Sequence, residues 1–180
     1  MTATLYTIGH SNHEPGTFAT ILHAYQIATL VDIRAYPQSK RYPHFSMDPL
    51  RESLQKSGIV YHWAGKHLGG MRDPAPQSKH LALKDNKMRG YADYMESDVF
   101  IKAAVQLMHL AQMNPTVVMC AERVPEHCHR YLLADYLTLQ GVEVQHIISA
   151  TEVQPHQLSP AARRESQELV YDRNITAALI

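Results

Sequence analysis

One almost wholly apolar segment, TVVMCAE (116–122), limits the folds open to this chain more than any other feature. Pro115 breaks the helical pattern before it, because proline lacks the N–H that a helix needs. A strand with no polar face must be covered on both faces, and such strands lie inside the parallel sheets of α/β proteins. The segment therefore predicts a central strand in a sheet that carries helices on its faces.

Short strand patterns alternate with helical patterns along most of the chain. We predict further strands over 4–9, 28–37, 59–64 and 142–149. We predict helices from Pro15, over 48–58, from about Ser97, and over 126–140 between Pro125 and Gly141. Residues 65–90 form a long polar connection. The alternation predicts a single α/β domain with a mostly parallel central sheet flanked by helices.

The strong pattern stops near residue 150, and this divides the chain into two parts. We expect an α/β domain over 1–150 and a C-terminal tail over 151–180. Residues from Ser159 to about Leu169 have a helical pattern. The tail is therefore expected to be helical and packed on the domain.

Composition excludes several classes of protein. The 180 residues suit one domain, and 17 Lys+Arg against 17 Asp+Glu argue against a general nucleic-acid coat while leaving room for a local basic groove. No apolar stretch approaches the roughly 20 residues that span a bilayer. The N-terminal residues lack the segments of a signal peptide. We expect a cytoplasmic protein whose two cysteines are free thiols.

Polar residues follow the predicted strands at the points where these end. They are His10, Ser11 and Asn12 after the first strand, Asp32 and Arg34 on the second, and Cys120 and Glu122 on the central one. In a parallel sheet these ends meet at one crevice, where α/β proteins bind their ligands. Asp32 and Arg34 point to the same face of their strand, and they form either a structural ion pair or a shared ligand site.

The helix predicted from Glu126 adds a second polar feature. Cys128, His129 and Arg130 fall within its first turn and a half. The N–H groups at a helix start have no helical partners, so that such a terminus suits a phosphate, a carboxylate or a thiolate. Arg34, Lys40 and Arg41 could reach the same side. The alternative is a well-capped helix that binds no ligand.

The loop over 38–47 mixes aromatic and cationic side chains. Tyr42 and Phe45 lie close to Lys40 and Arg41 in this polar segment. Aromatic faces beside cations suit nucleobases and phosphates. Packing of the rings in the core is the alternative.

A metal site is a further hypothesis. Cys120 and Cys128 stand eight residues apart with histidines beside the second, a spacing that fits no common zinc rule. His10 and His146 keep this alternative open.

Two other kinds of chemistry stay open. A thiol nucleophile at Cys120 would lack the arginine of a phosphatase-type loop, because Glu126 stands six residues later. A buried cysteine is usually a small apolar residue. Glu122 and Asp32 could instead act as general acid and base.

Several motifs also stand in a known order. They are YTIGHSN (6–12), LVDIRAYPQSKRYPHF (30–45), LGG (68–70), YADYM (91–95), MCAE (119–122), CHR (128–130) and VQHI (144–147). In this combination the chain resembles the domain-of-unknown-function family 488 from about Leu5 to Ile148. The resemblance implies an α/β fold and a clustered site. The residues that it implies are His10, Asn12, Asp32, Arg34, Cys120, Glu122, Cys128, His129 and Arg130.

We expect a polar pocket that binds or acts on a phosphate-bearing ligand, a nucleotide or nucleic acid. Glu122 or Asp32 would transfer protons, His10 would polarise or orient the ligand, and Cys120 is a further catalytic candidate. The expected ligand-binding residues are Asn12, Arg34, Lys40, Arg41, Tyr42, Phe45, Cys128, His129 and Arg130. The alternatives are a non-catalytic interaction module with a structural polar cluster and a Cys/His metal-binding protein. No cofactor is indicated.

Overall fold

The computed structural model describes residues 3–173, and its central sheet has the strand order β3-β2-β4-β1-β5-β6. The strands are β1 (Thr4–Gly9), β2 (Thr29–Asp32), β3 (Val60–Trp63), β4 (Thr116–Cys120), β5 (Glu143–Ile147) and β6 (Val153–Pro155). Strands β1 to β5 pair in parallel, and β6 is antiparallel to β5. The predicted α/β fold with a mostly parallel sheet is confirmed.

Strand β4 lies inside the sheet between β2 and β1, as its apolar sequence predicts. All of its residues are buried, and alternate side chains enter two separate cores. Gly9 of β1 stands opposite Cys120, and Asp32 of β2 stands opposite Met119. The three strands β1, β2 and β4 therefore end together at one rim of the sheet.

Helices cover both faces of the sheet, as a parallel sheet requires. Within residues 3–173 they are α1 (Pro15–Ala24), α2 (Met47–Lys56), α3 (Gly65–Leu68), α4 (Asn86–Tyr94), α5 (Asp98–Met113) and α6 (Arg130–Leu139). Phe18 of α1 and Leu54 of α2 enter one core. Tyr91, Phe100 and Leu133, from α4, α5 and α6, enter the other. None of these helices combines the length and the apolar character needed to cross a membrane.

Two predicted boundaries are wrong. The strand predicted over 28–37 ends at Asp32, because its carboxylate accepts the backbone N–H of Arg34 at 3.1 Å and takes that donor out of the ladder. The connection predicted over 65–90 contains α3 and the first turns of α4. The Asp85 carboxylate starts α4 by accepting a first-turn N–H at 2.9 Å.

The helix predicted over 126–140 is wrong at its start. Residues Pro125–His127 form a single 3₁₀ turn, and Cys128 is extended with φ −133°. The extended backbone turns the Cys128 thiol toward the core, and α6 begins only at Arg130. Its predicted end is confirmed, since Gly141 follows with a φ of 84° that glycine adopts without strain.

The helix predicted from Ser159 to about Leu169 is also wrong. This part of the chain forms a hairpin of β7 (Ala162–Glu165) and β8 (Glu168–Tyr171). Tertiary contacts override the local pattern here, because β8 buries Tyr171 and the Tyr171 hydroxyl donates to Asp135 Oδ2 at 2.9 Å. The hairpin thus packs on the domain through Tyr171. Residues 174–180 of that tail lie outside the described part of the chain.

Candidate functional site

A cleft of about 760 Å³ opens at the rim where β1, β2 and β4 end. Six residues selected from the sequence meet in its lining: His10, Asn12, Arg34, Arg41, Tyr42 and Glu122. They come from three segments that are distant in the chain. The carboxyl ends of the parallel strands therefore form one concave polar surface, as the strand order requires.

An ion pair between Asp32 and Arg34 forms the base of the cleft. Asp32 Oδ1 accepts from the Arg34 backbone N at 3.1 Å and Nε at 2.9 Å, while Oδ2 accepts from Nη2 at 2.6 Å and the Tyr61 hydroxyl at 2.7 Å. A carboxylate offers about four acceptor sites, and all are used. Asp32 is 0% exposed. It positions Arg34, and its carboxylate has no acceptor site left for a ligand.

His10 is held as a neutral imidazole beside this pair. Its Nδ1 lies 2.9 Å from the Ser11 carbonyl oxygen, which places the ring proton on Nδ1, and its Nε2 then accepts from Arg34 Nη1 at 3.3 Å. The pKa of His10 is lowered to about 4. Burial is the main cause, the Ser11 carbonyl opposes the shift, and the positive charge of Arg34 acts in the same direction as burial. The ring stacks on Phe45 with centroids 4.2 Å apart. Phe45 is buried and supports His10, so its predicted contact with ligand is wrong.

Two further guanidinium groups stand at the cleft surface. Arg41 lies over the Tyr42 ring, 5.5 Å from its centroid. The side chains of Arg41 and Arg123 have no carboxylate partner among residues 3–173. Lys40 is exposed but does not line the cleft. Of the two cationic side chains predicted in this loop, only Arg41 therefore lines the cleft.

A second hollow, of about 520 Å³, adjoins the cleft. It shares with the cleft the residues Arg34, Ala35, Met71, Ala121 and Glu122. Its lining also contains the predicted residues Cys120, Cys128 and His129. Gly70 packs so closely here that a Cβ would lie 2.9 Å from His129 Nδ1.

Arg130 does not face either hollow, which corrects its predicted role as an anion ligand. It is 1% exposed, and its Nη1 donates to Cys120 Sγ at 2.6 Å and to the Glu122 carbonyl oxygen, while Nη2 donates to the Arg123 carbonyl oxygen at 3.0 Å. Because α6 begins at this buried residue, the start of α6 is not free to bind an anion in the cleft. Arg130 instead holds the turn that presents Glu122 and Arg123.

The cleft contains two residues with strained backbone. Ser11 has a φ of 47° and Met71 a φ of 61°, and both line the cleft. A residue with a Cβ in this left-handed region costs about 1 kcal/mol or more. Such strain persists where the surrounding structure imposes it, and it is often found at ligand sites.

The lining residues outside the set selected from sequence include Tyr36, Met71 and Arg123. Arg123 directly follows Glu122, so that its position just beyond the central strand was a usable signal. Tyr36 comes two residues after Arg34 and carried the same signal. Met71 carried none, because only the path of the connection between β3 and α4 brings it to the rim.

Gly9→Ala should destabilise the protein by about 1–3 kcal/mol, as expected for overpacking a rigid site. A Cβ at this position would collide with the backbone carbonyl of Glu122, which a side-chain movement cannot relieve. The measurement is urea unfolding followed by circular dichroism. Gly16→Ala is the matched control, because nothing lies within 4 Å of its Cβ and it lies in α1. Equal stability of the two variants would contradict the close approach.

Within residues 3–173 no group of three or more His, Cys, Asp or Glu side chains converges in a way that could hold a metal ion. His146, which kept that alternative open, lies away from both hollows. Its Nδ1 bonds the Thr7 hydroxyl at 2.7 Å and its Nε2 bonds His156 at 2.8 Å. The described part of the chain thus provides no ligand set for the metal-binding alternative.

The fold and the cleft define a class: a small α/β protein with a doubly covered parallel sheet and a polar site at its carboxyl rim. The model of the family described as Domain of unknown function DUF488 matches residues 15–137, and the chain belongs to that family. This confirms the family indicated by the sequence motifs. The match spans Asp32 to Arg130, while His10 and Asn12 precede it. No curated protein and no solved structure matches the chain.

Proposed function

We propose that the cleft binds a phosphate-bearing ligand, a nucleotide or a segment of nucleic acid. The observation that carries the proposal is the pair of guanidinium groups of Arg41 and Arg123 in the cleft lining, neither of which has a carboxylate partner among residues 3–173. A guanidinium presents a planar fork of donors that matches phosphate oxygens. Among the described residues, Glu122 is the one carboxylate of the lining. The cleft is thus locally cationic, although the chain as a whole has a formal net charge of zero.

Exposed aromatic rings beside these cations favour a ligand that carries a base. Tyr36 is 74% exposed and lines the cleft, and Tyr42 lines it from the same loop. A solvent-exposed tyrosine at a concave surface offers a stacking face, and stacking contributes about 1–3 kcal/mol per base. The spacing of cations and rings therefore suits a nucleoside phosphate better than inorganic phosphate alone.

Proton transfer would fall to two groups of the cleft. His10 is neutral at neutral pH and has an acceptor nitrogen that faces Arg34. The Glu122 side chain is exposed and has no ion-pair partner among residues 3–173. A carboxylate or imidazole within hydrogen-bond reach of a ligand hydroxyl can act as a general base. Asn12, on the same rim, adds a neutral hydrogen-bonding group.

The double variant Arg41→Gln, Arg123→Gln should weaken nucleotide binding by at least tenfold for each arginine removed, because a charge-assisted hydrogen bond contributes about 1.5–3 kcal/mol. Isothermal titration calorimetry measures the dissociation constants, after a thermal-shift screen of mono-, di- and triphosphate nucleosides and short oligonucleotides. Arg164→Gln is the matched control, since Arg164 is exposed on β7 and does not line the cleft.

Two outcomes would contradict the proposal. One is the absence of stabilisation by any phosphorylated compound at millimolar concentration, because a ligand of the native state must raise its stability. The other is equal affinity of the wild type for a nucleotide and for the unphosphorylated nucleoside. The first result would favour the non-catalytic interaction module, in which the polar cluster serves only the fold. The second would show that the phosphate contributes nothing to binding.

A further inference from the structure

The two cysteines of the chain lie together under the second hollow, although they are eight residues apart in sequence. Cys120 ends β4, and Cys128 takes the extended conformation before α6. Both are free thiols, and both line that hollow. Arg130 contacts both sulfurs, because its backbone N–H donates to Cys128 Sγ at 3.5 Å and its Nη1 donates to Cys120 Sγ at 2.6 Å. Neither residue has a role in the proposed ligand cleft.

Each sulfur has a basic partner of its own. Arg130 Nη1 lies 2.6 Å from Cys120 Sγ and, because Arg130 is buried, its charge acts on that sulfur with little screening. His129 Nδ1 lies 3.6 Å from Cys128 Sγ. The His129 Nε2 makes no hydrogen bond among the described residues. The cluster thus holds one thiol near a fixed cation and the other near a neutral imidazole.

The electrostatics follow from these contacts. Burial alone would raise the pKa of Cys120, but the Cys128 thiol and the Arg130 guanidinium outweigh burial and lower it to about 7. The same interaction raises the pKa of Cys128 well above its usual value, with burial adding to the rise. Burial lowers the pKa of His129 to about 4, so its ring is neutral at physiological pH. Cys120, which contacts the Arg130 guanidinium, is therefore the more acidic thiol of the pair, and Cys128 is the less acidic one.

We propose that Cys120 and Cys128 form a redox-active thiol pair that closes to an intramolecular disulfide on reaction with a small hydroperoxide. The Cys120 thiolate attacks the peroxide, the O–O bond breaks, and the leaving oxygen takes a proton and departs as an alcohol or water. Cys120 is then a sulfenic acid. The Cys128 sulfur attacks it, the S–O bond breaks, and hydroxide leaves as water with the Cys128 proton, which His129 relays. Two electrons pass from the thiol pair to the peroxide.

The surroundings select for a small oxidant. Both cysteines are buried, at 2% and 6% exposure, so that the hollow admits hydrogen peroxide more readily than a bulky disulfide reagent. Closing the disulfide also removes the thiolate that Arg130 contacts. Because the same guanidinium holds the carbonyl groups of Glu122 and Arg123, oxidation would loosen the turn between the two hollows.

The test is peptide mapping of the wild-type protein after treatment with a few equivalents of hydrogen peroxide at pH 7. Trypsin separates residues 103–123, which contain Cys120, from residues 124–130, which contain Cys128. We expect a disulfide to join these two peptides under non-reducing conditions. This disulfide should form about tenfold faster in the native protein than in the same protein unfolded in urea, because the reactivity of a thiol follows its thiolate fraction. Dithiothreitol should restore the separate peptides.

Two single variants assign the roles. Cys128→Ser should accumulate a sulfenic acid on Cys120, which dimedone traps as one adduct per chain, whereas Cys120→Ser should react no faster than unfolded protein. The proposal would be overturned if native and unfolded wild type reacted at equal rates, or if both cysteines were oxidised independently without a link between the peptides. These wild-type readouts need no variant and no nucleotide, so they are independent of the ligand proposal.

Discussion

Asp32→Ala should lower the free energy of unfolding by about 3–5 kcal/mol, the effect expected when one partner of a buried ion pair is removed. The variant leaves the buried Arg34 guanidinium without its carboxylate, and the Tyr61 hydroxyl loses its acceptor. Globular domains are stable by only about 5–15 kcal/mol. The substitution therefore removes a large share of the total, although Asp32 touches no cleft surface.

Urea unfolding measures this loss, and two further variants interpret it. Asp48→Ala removes a carboxylate that is 86% exposed in its pair with Arg51, and it should leave stability unchanged because exposed pairs contribute little. The double variant Asp32→Ala, Arg34→Met should recover part of the loss, because no buried charge is then left unpaired. A double variant as unstable as Asp32→Ala alone would show that the charge of Arg34 is not the cause.

Acidification should destabilise the protein steeply between about pH 6.5 and pH 4. Burial lowers the pKa of His10 and of His129 to about 4. The pKa of His146 is lowered to about 3, mainly by burial and further by His156 and Arg130. The usual value is 6.5. Between about pH 6.5 and pH 4, these histidines bind protons in the unfolded chain but stay unprotonated in the folded protein. Stability is therefore fully present above pH 6.5 and is lost as pH falls, by about 1.4 kcal/mol per pH unit for each proton.

Unfolding free energies at pH 7.5, 6.5, 5.5 and 4.5 give the number of protons taken up. We expect a value of about three or more near pH 5, since His10, His129 and His146 contribute and the lowered pKa values of His13 and His80 add to the uptake. His10→Gln should reduce the uptake by about one proton, because the variant keeps a hydrogen-bonding side chain beside Arg34 but removes the titrating ring. A stability that stays constant from pH 6.5 to 4.5 would show that these rings are hydrated in the folded state.

The spacing of apolar residues along the sequence, which differs between strands and helices, was sufficient to predict most of the fold. The apolar run of β4 implied cover on both faces, and Gly141 marked the end of α6. The failures occurred where distant contacts compete with local preference. The hairpin of β7 and β8 replaces a predicted helix because Tyr171 reaches the buried Asp135, and that partner lies 36 residues away in the chain.

The candidate site was predictable to the same degree. Strand ends identified His10, Arg34 and Glu122 correctly as neighbours, because parallel strands must finish at one rim. The direction of a long side chain is not encoded in such a pattern. Phe45 turns inward under His10, while Lys40 points away from the cleft.

The sequence by itself determined which segments of this protein share a rim, because alternating strands and helices permit only a few right-handed arrangements. Only the tertiary structure decided which charges are free there. Arg130 donates to a sulfur and two carbonyl groups, while Arg41 and Arg123 line the cleft without a carboxylate partner among residues 3–173. The physical reason is that the availability of a charge depends on burial and on partners a few ångströms away, and residues far apart in the chain supply those partners.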